Sequence, residues 1–205
     1  MSEAIRVFFF SPDFGPLCVV LSLLYMVQWR IGLAPIAIMD GIAVSGSVVF
    51  WWIQEHFLHQ KLLHSKFDWI GKSIHQGHHD KPYHHVSMDP PALIMGWLLV
   101  AHLLLRLTLP NVALSVSATF GYACAGLFYE WAHYLVHTKV DLSKSQFWTQ
   151  IRDNHIRHHR VSHDYWFGFS LPLIDDLFGT NPTVKQVRQR QRRSAVKEKR
   201  NDYGK

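Results

Sequence analysis

The sequence predicts an all-α integral membrane protein, in which four apolar segments form two helical hairpins beneath a helical cap. Three observations predict this class: four long apolar runs, very short connectors within two pairs of them, and an uneven distribution of Lys and Arg. Of the 205 residues, 48% are apolar and only 18% are charged, against about 25% charged in an average soluble domain. This composition excludes a disordered chain, and the two cysteines exclude a disulfide scaffold or a zinc finger.

The four apolar runs differ in length and polarity. Residues 31–53 carry one charge and residues 111–129 carry none, and each run is long enough as a helix to cross a hydrocarbon core of about 30 Å. Residues 92–109 form a third run, whose charge, Arg106, lies near its end. Residues 14–29 form the shortest run, whose length is marginal for a helix that crosses the membrane. A soluble helical bundle is the alternative, but residues 111–129 have no polar face to present to water.

The connectors and the positive charges orient these segments. The first two segments are separated by residues 30–35 and the last two by residues 110–111, so each pair predicts a tight hairpin. Both hairpins then open toward one side, which receives 19 of the 21 Lys and Arg residues and is therefore expected to be cytosolic. We expect one membrane-embedded domain over residues 1–182. Residues 183–205 are expected to form a basic cytosolic tail on anionic lipid head groups; the tail has no aromatic platform for nucleic acid.

Histidine is unusually frequent, with 15 in the chain. Ten of these fall into four groups of the form HxxxxH, HxxHH, HxxxH and HxxHH, all on the predicted cytosolic side. They are His59, His64, His75, His78, His79, His133, His137, His155, His158 and His159. Positions i, i+3 and i+4 share one face of a helix, so the rings of an HxxHH or HxxxH group are directed toward one place. Ten imidazoles exceed the four to six ligands of one ion, so the pattern predicts at least two metals.

The spacing within the groups gives two finer expectations. Adjacent histidines in HxxHH diverge by about 100° around a helix, so they are suited to two different metals. His59 and His64 are five residues apart and do not share a face of a regular α-helix. We therefore expect a distorted helix between them, or a metal placed where the helix ends.

Four carboxylates are candidates for orienting the ligands, because a metal-bound histidine usually donates its other N–H to a carboxylate or carbonyl. Glu55 and Glu130 each precede a candidate ligand by about one helical turn, and Asp153 and Asp164 flank the last group. Of the remaining histidines, His102 is expected in the core and His56 at the interface. His84, His85 and His163 are expected beside the metal ligands or on the surface. Imidazole binds Fe, Zn, Cu and Ni, so a structural zinc site stays open as an alternative.

The motifs resemble the histidine boxes of the membrane-bound fatty acid hydroxylase/sterol desaturase superfamily, in order and in flanking residues. Residues 55–64 (EHFLHQKLLH) carry an acidic residue four positions before the first histidine. Residues 75–79 (HQGHH) are followed by Asp89-Pro90-Pro91, and residues 129–137 (YEWAHYLVH) have Glu where Asp is common. Residues 155–159 (HIRHH) are followed by the segments FGFS and DDLFGT. The resemblance covers about residues 50–182.

The resemblance implies a membrane lipid oxygenase with a cytosolic cap over a non-haem di-iron centre, with zinc possible in the purified protein. Such an enzyme hydroxylates a lipid C–H bond, here that of a fatty acyl chain, with O2 and external electrons. By motif position, one metal takes His59, His64, His75, His79 and His158, and the other takes His78, His133, His137, His155 and His159.

The electron source and two further functions stay open. Some members carry a fused cytochrome b5 domain, for which 205 residues leave no room. The resemblance therefore implies a separate donor, such as a cytochrome b5-like protein or a ferredoxin, alongside a lipid substrate from the bilayer. A desaturase or oxidase of sterol or carotenoid type is an alternative reaction. A non-catalytic metal-binding membrane protein is an alternative of another class.

Overall fold

The computed structural model describes residues 2–10, 14–82 and 89–202, with side chains described up to residue 197. His84 and His85 lie outside these residues. The described chain is all helical, which confirms the predicted class. Its elements are α1 (Ser2–Phe10), α2 (Gly15–Leu33), α3 (Ile38–Leu58), a π-helical turn (His59–Leu63), α4 (Ile70–Asp80), α5 (Pro91–Thr108), α6 (Val112–Val136), α7 (Gln146–Arg160), α8 (Leu173–Leu177) and α9 (Val184–Asp202).

The helix boundaries follow local chemistry. Ala34, which ends α2, is extended, as expected for a residue that precedes a proline. Helix α5 begins with Pro91, which needs no N–H partner at that position. The Asn111 side chain caps α6 by accepting a hydrogen bond from the Leu114 N–H at 2.9 Å. The chain turns between α2 and α3 at residues 34–37, which overlap the predicted connector of residues 30–35 and lie inside the apolar run 31–53.

Three of the described helices are long and apolar enough to cross a membrane: Gly15–Leu33, Pro91–Thr108 and Val112–Val136. The sequence analysis predicted four membrane-crossing segments, and three of them correspond to helices that meet this description. Helix α3 falls short because Asp40, Gln54 and Glu55 lower its hydropathy. The first segment, expected to be marginal, is part of a helix of 19 residues.

Helix α6 is the centre of the bundle and packs against α1, α2, α3, α5 and α7. Helices α2 and α3 pack mainly on α6 rather than on each other, so the first predicted hairpin is not a packed pair, whereas α5 does pack on α6. Helices α3 and α6 approach closely at Gly121, where a β-carbon would overlap the Ser47 hydroxyl and the Val44 carbonyl. This close packing sets the two helices that carry histidines at their ends side by side.

A buried ion pair joins three helices at the end of the bundle far from the histidines. Arg30, in the last turn of α2, donates to both carboxylate oxygens of Asp40 at 2.7 Å. The Ser117 hydroxyl of α6 donates to the same carboxylate at 2.6 Å, and Arg30 also donates to the Ala34 carbonyl. We call Arg30, Asp40 and Ser117 the Arg30 cluster. The cluster gives Asp40, the one charged residue of the apolar run 31–53, an oppositely charged partner.

Candidate metal centre

The structure gathers five histidines from three places in the chain into a first group. Their ligand nitrogens lie within 4.8 Å of one another; the members are His59, His64, His75, His79 and His158. The Nε2 atom of His75 lies 3.2 Å from that of His59, 3.0 Å from that of His64 and 3.0 Å from that of His79. The five rings therefore point their Nε2 atoms at one small volume.

A second group of four histidines lies beside the first. Its members are His78, His137, His155 and His159, again with ligand nitrogens within 4.8 Å of one another. The Nε2 atoms of His137 and His155 are 2.8 Å apart, and those of His78 and His159 are 3.1 Å apart. Within each HxxHH motif, adjacent histidines thus belong to different groups, as the spacing predicts.

His133 lies against the second group without belonging to it. Its ring centroid is 4.3 Å from that of His78 and 4.8 Å from that of His155. Its Nε2 atom is buried and has no hydrogen-bond partner. An unpaired buried nitrogen is expensive, and a cation held by the second group would offer it a partner.

The five-residue spacing of His59 and His64 is accommodated by the π-helical turn. The His64 N–H donates to the His59 carbonyl at 3.3 Å, which is the i to i+5 pattern of a π-helix. The extra residue in the turn lets both rings reach the same group. The predicted distortion of the helix is confirmed.

Backbone carbonyls fix the protonation of two ligands. The Nδ1 of His59 lies 2.9 Å from the Phe167 carbonyl oxygen, and the Nδ1 of His158 lies 2.8 Å from the Tyr165 carbonyl oxygen. A carbonyl oxygen only accepts, so Nδ1 carries the proton in both rings. Each Nε2 therefore presents its lone pair to the first group.

The electrostatics of the groups suit a cation. Burial lowers the pKa of His59 to about 3 and the pKa values of His64 and His137 to about 4. These rings are neutral at pH 7, and a neutral imidazole has only one N–H to share. Lone pairs that face one another at about 3 Å repel unless a positive ion lies between them, so the donor set fits metal ions.

The carbonyls of Phe167 and Tyr165 belong to the loop between α7 and α9, which is held together by hydrogen bonds to Asp175. The Asp175 carboxylate accepts hydrogen bonds from the N–H groups of Phe167 and Gly168, at 2.8 and 3.0 Å. It also accepts from the side chains of Asn154 and Thr180. The sequence analysis noted this region only as a flanking motif; it did not assign Asp175 a role, because two of its partners are backbone N–H groups, which every residue except proline offers.

The four expected carboxylates have different surroundings. Glu55 is buried, and its oxygens accept from the Ser170 N–H at 2.8 Å and from the Trp51 indole at 3.1 Å; it therefore acts on the same loop. Glu130 is buried in α6. Asp164 is exposed and accepts from the Ser162 hydroxyl. Asp153 lies on the surface, 4.0 Å from Arg157, which does not support a role beside the metal ligands.

The other described histidines also differ. His102 pairs with the Thr119 hydroxyl at 2.8 Å, as expected for a histidine in an apolar helix. His56 is buried and pairs with Thr180 at 2.8 Å, below the loop. His163 is exposed, yet its ring centroid lies 4.3 Å from that of His79. The first group therefore reaches the surface of the protein at His163.

A mostly apolar cavity of about 150 Å³ runs between α2, α3, α5 and α6 to the first group. Its wall on α6 extends from Tyr122 to Glu130, about 12 Å along the helix axis. Side chains such as Ile94 and Leu98 line it, and His59 lies at its polar end. An extended hydrocarbon chain fits the shape and chemistry of this cavity.

Comparison with known proteins agrees with this arrangement. A family model described as fatty acid hydroxylase matches residues 44–180, which is well over half of the chain. The chain belongs to the fatty acid hydroxylase family. The predicted resemblance to the superfamily is thus confirmed, and with it a family-level link to lipid hydroxylation.

Two curated relatives of this family member come from Arabidopsis thaliana. The dihydroceramide fatty acyl 2-hydroxylase FAH2 is 29% identical over 154 residues, covering 71% of this chain and 62% of the relative. The dihydroceramide fatty acyl 2-hydroxylase FAH1 is 28% identical over 162 residues, covering 73% and 64%. The chain thus spans less than two thirds of the length of either relative.

A solved structure shares the fold of this family member. It is described as full-length scs7p with only the hydroxylase domain visible. The TM-score is 0.68 at 17% identity, with 83% of this chain and 66% of that chain covered. At this identity the likeness concerns the fold.

Proposed function

We propose that this protein hydroxylates a C–H bond of a fatty acyl chain in a membrane lipid, with two iron ions, O2 and two external electrons. The reaction consumes the lipid, O2, two electrons and two protons, and it gives the hydroxylated lipid and one water. The observation that carries the proposal is the meeting of the apolar cavity with the first histidine group at His59. The names of the curated relatives make the C2 position of an amide-linked acyl chain the first substrate to test.

Ten histidines would hold the two irons in this proposal. The first group of five would hold one ion, and the second group of four together with His133 would hold the other. Bound iron would supply the activation of O2. The loop carbonyls of Phe167 and Tyr165 keep Nε2 of His59 and His158 directed at the ion, and imidazoles alone add no negative charge to it.

The protein's own residues would position the substrate and limit access of water. Ile94, Leu98 and their neighbours would hold the acyl chain in the cavity and keep its reacting carbon beside His59. Glu55 fixes the loop over that end of the cavity through Ser170. A dry, shaped cavity next to the metals would favour reaction with the bound chain over side reactions with solvent.

The proposed placement is multi-pass, with the metal centre on the cytosolic face. Helix α3 would be a fourth membrane segment, because Asp40 is paired with Arg30 and Glu55 with the loop. The excess of Lys and Arg on the histidine side supports the orientation. Residues 1–182 would form the membrane-embedded domain, with the basic tail following.

Metal analysis and product analysis test the proposal together. Protein expressed with iron should contain two irons per chain, with Mössbauer spectra that change on reduction and on exposure to O2. Incubation with a dihydroceramide, dithionite as the reductant and ¹⁸O2 should add one labelled oxygen to the acyl chain. Loss of two hydrogens without added oxygen would indicate a desaturase. Two zinc ions that iron does not replace, without O2 consumption, would contradict the proposal and favour a non-catalytic metal protein.

A further inference from the structure

The basic helix α9 lies against the part of the protein that covers the first histidine group. Arg190 donates to the Tyr165 hydroxyl at 2.7 Å and stacks over its ring at 5.6 Å. The Gln191 side chain donates to the Val161 carbonyl at 3.2 Å. Tyr165 in turn supplies the carbonyl that holds His158. The helix is therefore anchored to the turn formed by residues 161–165, one contact away from a candidate metal ligand.

The charge of the protein is concentrated in α9. The helix contains eight Lys/Arg and two Asp/Glu residues, which leaves thirteen of each sign in the rest of the chain. Six of its basic residues have described side chains, and all six are exposed: Lys185, Arg188, Arg190, Arg192, Arg193 and Lys197. Asp164 is a carboxylate within the neighbouring turn. The described surface here is strongly positive.

Over its described side chains, helix α9 lacks the apolar face with which a helix inserts into a lipid interface. A helix that lies in a lipid interface has a broad apolar face. In α9 the one fully buried apolar residue among those described, Val187, is already packed against the body of the protein. Beyond Gln191 the described helix is exposed throughout, and Val196 is its only exposed large apolar side chain. A folded partner with an acidic surface complements these charges.

The position of the patch indicates what such a partner would do. The lipid cavity reaches the first group at His59, between the membrane helices. His163, in the turn that anchors α9, is exposed and its ring lies 4.3 Å from that of His79. The first group thus has one side open to the lipid cavity and another that reaches the aqueous surface beside α9.

We propose that α9 and the turn of residues 161–165 form the docking surface for a small acidic electron-carrier protein, which reaches the first histidine group at His163. The inference rests on the proposed function, because that reaction requires two external electrons for each lipid hydroxylated. Complementary charge would align the carrier over His163 and accelerate its association.

The test compares two charge-reversal variants with the same net charge. Arg192→Glu/Arg193→Glu alters α9 beyond its anchoring contacts. Arg6→Glu/Lys144→Glu alters exposed basic residues on α1 and before α7. Full-length protein is placed in phosphatidylcholine nanodiscs, and the affinity for the soluble haem domain of a cytochrome b5 is measured by titration at low and high salt.

We expect the α9 variant to weaken binding by about tenfold or more at low salt and to reduce the salt dependence, while the control stays within about twofold. Equal weakening in both variants, or in neither, would overturn the proposal. A second overturning result is protection of residues 188–197 from hydrogen exchange in phosphatidylserine nanodiscs, with carrier affinity unaffected by the reversal. That result would assign α9 to the membrane surface.

The binding measurement does not depend on turnover. If wild-type protein reduced by dithionite makes no hydroxylated lipid, the proposed function fails. Carrier binding is measured separately in the same preparation. Intact dithionite-driven hydroxylation without any charge-dependent carrier binding would contradict the docking surface alone.

Discussion

The two ends of the helical bundle bury polar side chains in opposite ways. In the Arg30 cluster, guanidinium and hydroxyl donors meet carboxylate and carbonyl acceptors within hydrogen-bond distance. At the other end, imidazole nitrogens face imidazole nitrogens at about 3 Å, with too few protons to pair them. A polar cluster that satisfies its own hydrogen bonds is suited to a structural role, whereas one whose nitrogens converge is suited to holding a cation.

The largest effect is expected from removing one ligand. His155→Ala should abolish lipid hydroxylation and lower bound iron to one ion per chain or less, because His155 contacts His137 and His159 within the second group. Iron content and product are measured on detergent-purified protein. The control, His102→Ala, removes an imidazole outside both groups and should keep two irons. Iron loss in both variants would contradict the assignment of metal binding to the two histidine groups.

Breaking the Arg30 cluster should affect stability without affecting metal binding. Arg30→Met leaves the Asp40 carboxylate buried beside Ser117, which should destabilise the protein by about 3–5 kcal/mol. The double variant Arg30→Met/Asp40→Leu should be less destabilised than the single variant. Unfolding in detergent measures the free energy of unfolding of the two variants. The iron bound per folded molecule should stay unchanged in each. A double variant less stable than Arg30→Met would contradict the interpretation of the pair.

Asp175 gives a third test, intermediate in size. Asp175→Asn replaces one acceptor oxygen by an NH2 group among four hydrogen-bond donors. The carbonyl of Phe167 should then shift, and iron affinity should fall by about 10–100-fold, as measured by competition with a chelator. Asp176→Asn changes the exposed neighbour and serves as the control. Equal affinity in the two variants would show that the loop does not position His59.

The smallest effect is expected where α3 crosses α6 between the two ends. Gly121→Ala places a methyl group against the Val44 carbonyl and the Ser47 hydroxyl and should cost about 1–3 kcal/mol. Gly46→Ala, on α3, has open space and should be neutral or slightly stabilising. Thermal unfolding in detergent distinguishes them, and a Gly121→Ala variant as stable as Gly46→Ala would refute the close approach.

Local features of the structure were predictable from the sequence, and long-range ones were not. The helical class, the divergence of adjacent histidines and the distortion between His59 and His64 follow from helix periodicity, which acts over a few residues. The connector predicted at residues 30–35 overlaps the observed break at residues 34–37, but its bounds were inexact because the apolar run continues across it. The carbonyl of Phe167, 108 residues from His59, leaves no local pattern because any residue type offers the same oxygen.

The π-helical turn at His59–Leu63 ties the course of the chain after α3 to the geometry of the first histidine group. A π turn is uncommon and intrinsically weaker than the α-helix it interrupts, and its geometry serves to bring His59 and His64 to one point. Shortening the segment by one residue would restore an α-helix and rotate the following chain by about 100°. Deletion of one residue between His59 and His64 is therefore expected to separate two rings that now meet in the first group.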